Sequence, residues 1–407
     1  MPDDKTVKVG SRDRATDILF VCSDLLVGGT ERQLTAIAPG LVRLGWRVSV
    51  YSLAGRGPLQ AELAHGAVTV ILPPMNRSPN DTSWIKRIFA RGLTAVHLAF
   101  LMLKARPAII HFMLPEAYLV GAPLAKLARI PVKIMSRRSL NLYQKNSFVR
   151  NIEHWLHRSM NAILGNSLNV IRELKGEGVP SARLGLIYNG IDLDPFADFD
   201  ARKSERISLG FKPSTFVMCM VANLISYKGH RDLVEALGQM ASKLPADWHL
   251  LLVGRDDGMG AQLRKQAEQF GIVKNISFLG SRSDVPDLLA ASDLGILCSH
   301  QEGFSNAILE GMAARLPMIV TDVGGNSEAV IDGVTGLVVP ANDPARLGAA
   351  IVKLATNQDM RNTFGAAGYA RVSGHFGMDR CIAAHDQLYR TLLAGGAPGD
   401  LAQIRSS

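Results

Sequence analysis

Short apolar runs alternate with amphipathic stretches along this sequence, and the alternation restarts once near the middle of the chain. The runs are rich in Val, Ile and Leu, as in strands that are buried on both faces of a sheet. The stretches between them, such as residues 31–44 and 83–105, have the apolar spacing of helices. A repeated strand–helix order with short connections predicts a parallel sheet covered by helices on both faces.

The alternation predicts two domains. The predicted strands span residues 18–22, 48–53, 68–72, 108–112, 132–135, 162–164 and 184–188, and then 215–222, 248–253, 276–279, 294–297 and 318–321. Residues 192–211, between the two sets, have little apolar periodicity and contain Pro195, which is typical of a linker. We therefore predict an α/β fold of two doubly wound, Rossmann-like domains that face each other across a cleft.

The predicted domains are residues 17–190 and 212–377, joined by a linker at residues 191–211. A length of 407 residues agrees with two domains, since it exceeds what one compact core usually holds. The amphipathic stretch at about residues 378–393 follows the second domain and is a candidate to pack back on the first. In open parallel sheets, ligands bind beyond the carboxyl ends of the strands, so the loops that follow strands are the places to look for function.

The positive charge of the chain lies in its first half. Residues 1–190 hold 25 Lys and Arg against 12 Asp and Glu, a net charge of +13, whereas the rest holds 20 against 24, a net charge of −4. This excess predicts attraction to an anionic acceptor or to anionic lipid headgroups, with an ordinary solvated surface as the alternative. Nucleic acid is not expected, because no Lys/Arg run with interleaved aromatic residues is present.

No secretory signal is evident at the start, since residues 1–16 are polar and mixed in charge and predict a disordered lead-in. The longest apolar run, residues 93–103, contains His97 and is about half as long as a membrane span. The four cysteines lie far apart without metal-site spacing, which favours core positions in a reducing compartment. We expect a cytoplasmic protein that can rest peripherally on the inner face of the cell membrane.

The strongest candidate site follows the predicted strand at residues 294–297. The strand leads into a polar loop, and a helix begins near Ser305, a favoured N-cap residue type. The unpaired N–H groups and positive dipole at such a helix start suit a diphosphate. Glu302 in the loop and Glu310 in the helix can accept hydrogen bonds from sugar and ribose hydroxyls. The spacing of two glutamates is weak evidence alone, and the intervening Gly303, Phe304, Ser305 and Asn306 strengthen it.

Two further loops follow predicted strands. Residues 221–230 carry Asn223 and then Lys228 before a helix, and lysine is a point charge suited to phosphate, although a solvated loop lysine is the alternative. Gly28 and Gly29 follow the first strand, where glycine lets the backbone approach a ligand closely. The spacing there is not G-x-G-x-x-G, so a dinucleotide site is poorly supported.

Weaker candidates remain. His111 ends a buried strand at the same sheet edge, where a structural histidine is more common than a catalytic one. Residues 189–192 indicate turn chemistry, and residues 324–328 follow another strand and could also line the cleft. The pairs Asp192/Asp194 and Asp198/Asp200 match an Asp-x-Asp metal pattern, but both lie in the predicted linker, and we expect no metal site.

Taken in chain order, these motifs resemble those of the family-4 glycosyltransferases over about residues 17–390. The motifs are Gly28-Gly-Thr-Glu-Arg-Gln33, Asn189-Gly-Ile-Asp192, Lys228-Gly229, Glu302-Gly-Phe-Ser-Asn-Ala-Ile-Leu-Glu310 and Thr321-Asp-Val-Gly-Gly-Asn-Ser-Glu328. The resemblance implies the GT-B fold and retention of the anomeric configuration. Within the family the chain looks most like bacterial enzymes of capsule, O-antigen or exopolysaccharide assembly.

The resemblance also implies roles. Glu302 would contact the donor hexose, Lys228 the diphosphate and Glu310 the ribose. His111 is a further catalytic candidate from its position at the sheet edge alone. The loop at Gly28 would close over the reacting centre, and backbone around residues 303–306 would hold phosphate or sugar groups. The donor would be a UDP or GDP sugar, and the family generally needs neither a metal nor another cofactor.

The chain departs from the family pattern at two positions. Many relatives have an arginine near the position of Asn223, and Arg255 or Arg282 would have to replace it here. Many relatives also have a histidine a few residues after the strand that ends near His111, where this chain has Glu116. Both departures bear on how the donor and the acceptor are held.

We therefore expect a hexosyltransferase that moves a sugar from a nucleotide-diphosphate sugar to a saccharide or lipid-linked acceptor. A nucleotide-sugar epimerase of the same fold and a non-catalytic nucleotide-sugar-binding protein are the alternatives. The loop at residues 137–150 holds Arg137, Arg138, Lys145 and Arg150 and is the predicted acceptor-facing or membrane-facing surface.

Overall fold

The computed structural model describes residues 16–26, 28–75, 84–138, 147–197 and 206–400. The predicted lead-in before residue 16, Lys145 and the Asp198/Asp200 pair lie outside these residues. Within them the chain forms two parallel sheets, one of seven strands and one of six.

The first sheet has the strand order β3-β2-β1-β4-β5-β6-β7, with every neighbouring pair parallel. Its strands are β1 Asp17–Cys22, β2 Arg47–Ser52, β3 Thr69–Ile71, β4 Ile109–Met113, β5 Val132–Arg137, β6 Ala162–Gly165 and β7 Leu184–Leu186. The helices that connect them are α1 Gly29–Arg43, α2 Gln60–His65, α3 Trp84–Ala105, α4 Pro115–Leu127, α5 Ser147–His157 and α6 Leu168–Gly176.

The second sheet repeats this order as β10-β9-β8-β11-β12-β13. Its strands are β8 Phe216–Val221, β9 Trp248–Val253, β10 Ile276–Gly280, β11 Leu294–Leu297, β12 Met318–Thr321 and β13 Gly336–Val339. The helices are α7 His230–Met240, α8 Gly260–Gln269, α9 Val285–Ala290, α10 Asn306–Ala313, α11 Asn326–Ala329, α12 Pro344–Ala355, α13 Gln358–His375 and α14 Met378–Leu393.

Side-chain alternation along each central strand builds a core on both faces of its sheet. In β1, Ile18 and Phe20 enter one core cluster, whereas Leu19 and Val21 enter the other. Successive side chains of a strand point to opposite faces, so an apolar residue at every position requires a helix layer on each side. The four cysteines are free and buried, as predicted.

The last helix, α14, belongs spatially to the first domain. Ile382, Leu388 and Tyr389 join the core cluster that also contains residues of α1. Trp46 donates a hydrogen bond from Nε1 to Oδ1 of Asp386 at 2.7 Å. The chain therefore crosses between the domains twice.

The two crossings lie side by side. The amide of Ile191 donates to the carbonyl of Phe376, and the amide of Met378 donates to the carbonyl of Ile191, each at 2.9 Å. These bonds form an isolated parallel bridge between Ile191 and Gly377. The domains are thus joined by a narrow, hydrogen-bonded pair of chain segments.

The predicted fold class is confirmed, and each predicted strand is present. Strand β13 was not predicted; its sequence, Gly-Leu-Val-Val, begins with a residue that disfavours strands. In each sheet the strand order reverses at one place, between β1 and β4 in the first sheet and between β8 and β11 in the second. The loops at these two switch points face each other, and they build the cleft described next.

Candidate active site

A cleft of about 510 Å³ lies between the carboxyl edges of the two sheets. The first domain contributes the loop after β1, through Gly28 and Gly29, and side chains that follow later strands. The second domain contributes the loops after β8, β9, β10 and β11. The cleft is lined by Gly28, Gly29, Asn223, Lys228, Arg282, Glu302, Gly303, Phe304, Ser305, Asn306 and Glu310 among others.

Lys228 and Glu302 meet in the cleft. Lys228 ends a short 3-10 turn after β8, and its Nζ lies 2.5 Å from Oε1 of Glu302. The same carboxylate oxygen accepts a hydrogen bond from the buried hydroxyl of Ser299 at 2.7 Å. A cation and a carboxylate held together at the end of two neighbouring strands can separate to bind a phosphate and a hydroxyl group.

Gly229 fixes the direction of this turn. Its φ is +76°, a left-handed conformation that favours glycine, and a Cβ added there would collide with the carbonyl oxygen of Cys298. The β8 loop therefore packs directly on the start of the β11 loop. This close approach is what brings Lys228 beside Glu302.

The start of α10 points its amides into the cleft. Ser305 occupies the N-cap position, as predicted, but its hydroxyl makes no capping hydrogen bond. The first N–H groups of the helix are thus left available to a ligand, and the positive end of the helix dipole favours an anion there.

Glu310 lies just over one turn into α10 and is partly buried at the floor of the cleft. Burial raises the pKa of its carboxyl group, and the nearby guanidinium of Arg32 opposes that rise. A carboxylate in this position can accept two hydrogen bonds from a vicinal diol such as a ribose.

The opposite wall is the start of α1. The amide nitrogen Nδ2 of Asn306 donates to the carbonyl of Gly29 at 3.1 Å, so the two domains touch across the cleft. Glu31, in the first turn of α1, is 7% exposed, and burial raises the pKa of its carboxyl group to about 7. This carboxyl group lies beside Gly28, behind the residues that line the cleft.

Family models match both halves of the chain. One described as "Glycosyltransferase Family 4" matches residues 27–195, and one described as "Glycosyl transferases group 1" matches residues 201–371. Together they span most of the chain and both domains. The chain belongs to the family-4 glycosyltransferases.

Similar proteins include two bacterial relatives. The N-acetyl-alpha-D-glucosaminyl L-malate synthase of Bacillus anthracis is 23% identical over 295 residues, which cover 72% of this chain and 76% of that protein. The lipopolysaccharide core biosynthesis mannosyltransferase LpsB of Rhizobium meliloti is 29% identical over 281 residues, 66% of this chain and 77% of that one.

A solved structure shares the fold. The crystal structure of Anabaena HepE in complex with UDP-glucose aligns with a TM-score of 0.78 at 24% sequence identity, covering 91% of this chain and 99% of that chain. This likeness agrees with the GT-B architecture of two facing parallel-sheet domains.

In this glycosyltransferase, His111 is not part of the cleft. It is fully buried, with Nδ1 2.7 Å from the hydroxyl of Tyr389 and Nε2 2.7 Å from the hydroxyl of Ser136. Burial holds the pKa of its imidazole well below the ordinary value. The reason is the return of α14, which covers the end of β4, so the prediction of His111 as a catalytic residue is not supported by its position.

Arg138 and Asn189 were not predicted as cleft residues. Both line the cleft, and Nη1 of Arg138 donates to Oδ1 of Asn189 at 2.8 Å. Asn189 in turn donates from Nδ2 to the carbonyl of Phe304 at 2.9 Å and to Oδ1 of Asn306 at 2.8 Å. The Asn-Gly motif that suggested only turn chemistry is therefore a connection between the domains.

The guanidinium of Arg138 is an unusual group for this depth. Burial lowers the pKa of Arg138, and its Nε has no hydrogen-bond partner among the described residues. It was placed by prediction on an acceptor-facing or membrane-facing loop. The structure instead directs it into the cleft, where it adds positive charge to the first-domain wall.

Arg137 also departs from that prediction. Its side chain is fully buried and forms ion pairs with Glu153 and Glu177. Such a pair is held inside the domain, because a buried guanidinium needs carboxylate partners. Arg150 is exposed on α5, and residues 139–146 of that loop are outside the described residues.

Both candidates for the missing family arginine lie in the cleft. Asn223 accepts a hydrogen bond from the amide of Arg255 at 3.1 Å. Arg255 and Arg282 both line the cleft, and each pairs with an aspartate two residues later. Because these pairs are largely exposed, they are weak, and either guanidinium can turn to a phosphate.

Two other predicted positions serve elsewhere. Glu116 lies in the first turn of α4 and is not among the described residues that line the cleft. Glu328 accepts hydrogen bonds from the amides of Leu168 and Asn169 at 2.7 and 3.1 Å, and from the hydroxyl of Tyr188. It therefore caps α6 of the first domain from the second, and does not line the cleft.

A larger cavity, about 720 Å³, lies at the other edge of the second sheet. It is lined by Pro213, Asp293 and Pro317, which precede β8, β11 and β12. The amino edge of a parallel sheet is not where ligands of such folds bind, and the predicted site residues are at the opposite edge.

Proposed function

We propose that this glycosyltransferase moves a hexose-type sugar from a UDP or GDP sugar to a saccharide or lipid-linked acceptor, with retention of the anomeric configuration. The observation that carries the proposal is a single cleft that contains Lys228, Glu302, Glu310 and the open start of α10. This set supplies partners for the ribose, the diphosphate and the hexose of such a donor.

The diphosphate would lie at the start of α10. Lys228, the first amides of the helix, and Arg255 or Arg282 converge there, and each favours negative charge. The negative charge on the departing diphosphate grows as the glycosidic bond breaks, so these groups stabilise the transition state more than the ground state. We propose that this protein charge replaces a divalent metal.

Glu302 and Glu310 would select the two sugar units. Glu310, at the cleft floor, would hold the ribose diol. Glu302 would leave Lys228 when the phosphate arrives and bind hydroxyl groups of the hexose. Without donor, Lys228 and Glu302 compensate each other's charge.

Transfer would be completed from the first-domain wall. The bond from the anomeric carbon to the diphosphate oxygen breaks, and a bond to the acceptor hydroxyl forms on the same face. The hydroxyl proton passes to the departing nucleoside diphosphate. Gly28 and Gly29 let the backbone approach the reacting carbon, and Arg138 places a cation near an anionic acceptor.

A role in cell-surface polysaccharide synthesis is proposed from the relatives. LpsB is named for lipopolysaccharide core biosynthesis, whereas the Bacillus anthracis relative is named for a malate acceptor. The basic first domain favours the former kind of acceptor, which resides at a membrane.

A panel of UDP and GDP sugars tests the proposal by thermal stabilisation and by release of nucleoside diphosphate. Wild type would be compared with Glu310→Gln and Lys228→Ala, and with the exposed controls Glu268→Gln and Lys265→Ala on α8. We expect one or two donors to stabilise wild type and both controls, but neither cleft variant. EDTA should leave turnover unchanged.

Each other outcome has a meaning. Conversion of a donor to an isomeric nucleotide sugar without acceptor would assign an epimerase. Donor binding without turnover over a panel of saccharide and lipid-linked acceptors would indicate a binding protein. If no nucleotide sugar stabilised wild type, the proposed donor site would be wrong.

A further inference from the structure

Helix α3, Trp84–Ala105, is apolar on two opposite faces. Ala90, Thr94, Leu98 and Met102 are buried against the first sheet and follow one another at every fourth position. The opposite face carries another apolar stripe with the same helical spacing. Its members are Ile85, Phe89, Val96, Phe100 and Leu103, which are between 51% and 67% exposed.

Exposure of this stripe is costly for a surface that meets only water. Most exposed large hydrophobic residues are scattered singly, and a contiguous patch marks an interaction surface. Trp84 and Ile88 enlarge the patch at the start of the helix, at 69% and 58% exposure. The patch therefore needs a partner that buries apolar side chains.

The charges around the stripe have one sign. Lys86 and Lys104 border the stripe at helical spacing, three residues before Phe89 and four after Phe100, and residues 84–106 contain no Asp or Glu. An apolar stripe flanked by cations is complementary to a surface that is apolar below and anionic above. A two-fold contact with the same face of a second copy would instead bring like charges together.

The neighbouring helices extend the surface. Helix α4 ends in Leu127, which is 76% exposed, and α5 presents Ile152 and Trp155 at 37% and 53%. The ammonium group of Lys126 lies 4.8 Å from the centre of the Trp155 ring. Tryptophan beside lysine is the combination that anchors proteins at membrane–water interfaces.

This surface is interfacial and not a membrane span. Among the described helices, α3 is long and apolar enough by length and composition to cross a bilayer. Leu98 and Met102 are nevertheless fully buried in the core of the first domain. A helix that must keep one face in that core can lie on a bilayer but cannot be surrounded by lipid.

The direction of α3 places the start of this helix toward the cleft. Helix α3 ends at Ala105, shortly before β4 begins at Ile109, at the sheet edge away from the cleft. The helix is about 33 Å long at about 1.5 Å per residue, so Trp84 lies toward the carboxyl edge. The exposed apolar residues Trp84, Ile85, Ile88 and Phe89 are thus at the cleft end of the helix.

We propose that the α3 face, meaning the exposed apolar and basic residues of Trp84–Arg106, docks on a bilayer that contains anionic lipid. The inference does not depend on which donor or acceptor the cleft accepts. It would hold the cleft beside the headgroups, where a lipid-linked acceptor presents its saccharide.

Flotation with lipid vesicles tests this inference. Vesicles of phosphatidylcholine alone would be compared with vesicles of equal parts phosphatidylcholine and phosphatidylglycerol. We expect wild type to float with the anionic vesicles and to dissociate at high salt. The double variant Phe89→Ser/Phe100→Ser should weaken binding by about tenfold or more, because it removes two exposed aromatic anchors.

The charge arm uses Lys86→Ser/Lys104→Ser, which removes the two cations that border the stripe and should weaken binding to anionic vesicles by about fivefold per lysine. The matched control is Ile207→Ser/Val334→Ser, which removes two exposed apolar residues outside the first domain, 72% and 50% exposed. All substituted positions are exposed, and thermal stabilisation by a nucleotide sugar should remain as in wild type.

The inference is overturned if wild type fails to float with anionic vesicles, or if both α3 variants float like the control. Sedimentation velocity without lipid is the second measurement. A dimer in wild type that Phe89→Ser/Phe100→Ser abolishes would assign the α3 face to a second copy and reject the bilayer.

Discussion

At the scale of single residues, the contact between Lys228 and Glu302 holds both functional groups in place before any ligand arrives. The two side chains neutralise each other at 2.5 Å, so the empty cleft carries no uncompensated charge at this point. Donor binding would have to exchange this contact for one to phosphate and one to a sugar hydroxyl.

The variant Glu302→Gln tests the contact to the sugar hydroxyl separately from the contact to phosphate. The variant keeps the lysine and the shape of the loop, but it replaces a carboxylate acceptor with an amide. We expect turnover to fall by about 100-fold through misplacement of the hexose, while UDP alone or GDP alone still stabilises the protein. Single-turnover kinetics beside a nucleotide titration would measure both. Unchanged turnover would remove Glu302 from the proposed mechanism.

Glu31 gives the chain a specific pH dependence. Burial raises the pKa of its carboxyl group from an ordinary value of 4.5 to about 7. The carboxyl group holds its proton more tightly in the folded state than in the unfolded state. Its contribution to the free energy of unfolding is therefore fully present below pH 4.5 and is lost as the pH rises to about 7.

We therefore expect the free energy of unfolding of Glu31→Gln, taken relative to that of wild type, to be greater at pH 8 than at pH 4.5. The relative gain is of the order of 3 kcal/mol, because each pH unit between the two pKa values corresponds to about 1.4 kcal/mol. Urea unfolding at several pH values measures it. Parallel stability profiles for the two proteins would show that Glu31 has an ordinary pKa.

At the scale of elements, the turn from β8 into α7 depends on Gly229. Gly229→Ala places a Cβ against the carbonyl of Cys298 and also strains a left-handed φ of +76°. Gly271→Ala is the matched control, since Gly271 has a φ of +69° but open space around it. The control should cost about 1 kcal/mol in unfolding free energy, and Gly229→Ala clearly more.

Urea unfolding of the two alanine variants would measure this difference, and a donor titration would report on the loop itself. We expect Gly229→Ala, but not Gly271→Ala, to weaken donor binding, because Lys228 precedes the displaced residue. Equal losses of stability in the two variants would mean that the loops do not pack as closely as described.

Most elements could be predicted from sequence because their signals are local. Strands such as β9 and β11 are apolar at nearly every position, and no other element of that length explains the pattern. The packing of α14 on the first domain was left open by the sequence, since periodicity indicates a helix and an apolar face but not its partner. Strand β13 begins with a glycine, which weakens its strand signal.

Part of the candidate site could be predicted from residues that follow strands. Glu302, Lys228 and Gly28 were found in this way. Arg138 and Asn189 also follow strands, but their places in the cleft were not predicted, because these depend on contacts between residues far apart in the chain, such as Asn189 with Phe304. His111 was assigned to the correct sheet edge, but the helix that covers it comes from the end of the sequence.

At the scale of the whole molecule, several hydrogen bonds hold the domains in their present arrangement. Glu328 makes two of them, because its carboxylate accepts hydrogen bonds from two backbone amides at the start of α6. Carboxylates at that end of a helix are favoured by the unpaired N–H groups and by the dipole.

Glu328→Gln should loosen the domain interface without touching the donor cleft. We expect a loss of about 1–2 kcal/mol in unfolding free energy and a larger radius of gyration by small-angle scattering. Glu268→Gln, on the exposed side of α8, is the control. A scattering profile identical to wild type would mean that other contacts fix the arrangement of the domains.

The return of α14 has a consequence for biosynthesis. When the strands and helices of the first domain have left the ribosome, α14 has not yet been made. The groove for Ile382, Leu388 and Tyr389 is then still empty, and His111 lacks the Tyr389 hydroxyl, one of its two hydrogen-bond partners. Domains usually complete folding as they emerge. Here the N-terminal domain must wait for the last helix, so the second domain can finish first, and a nascent chain stalled before residue 378 would expose an apolar groove to chaperones.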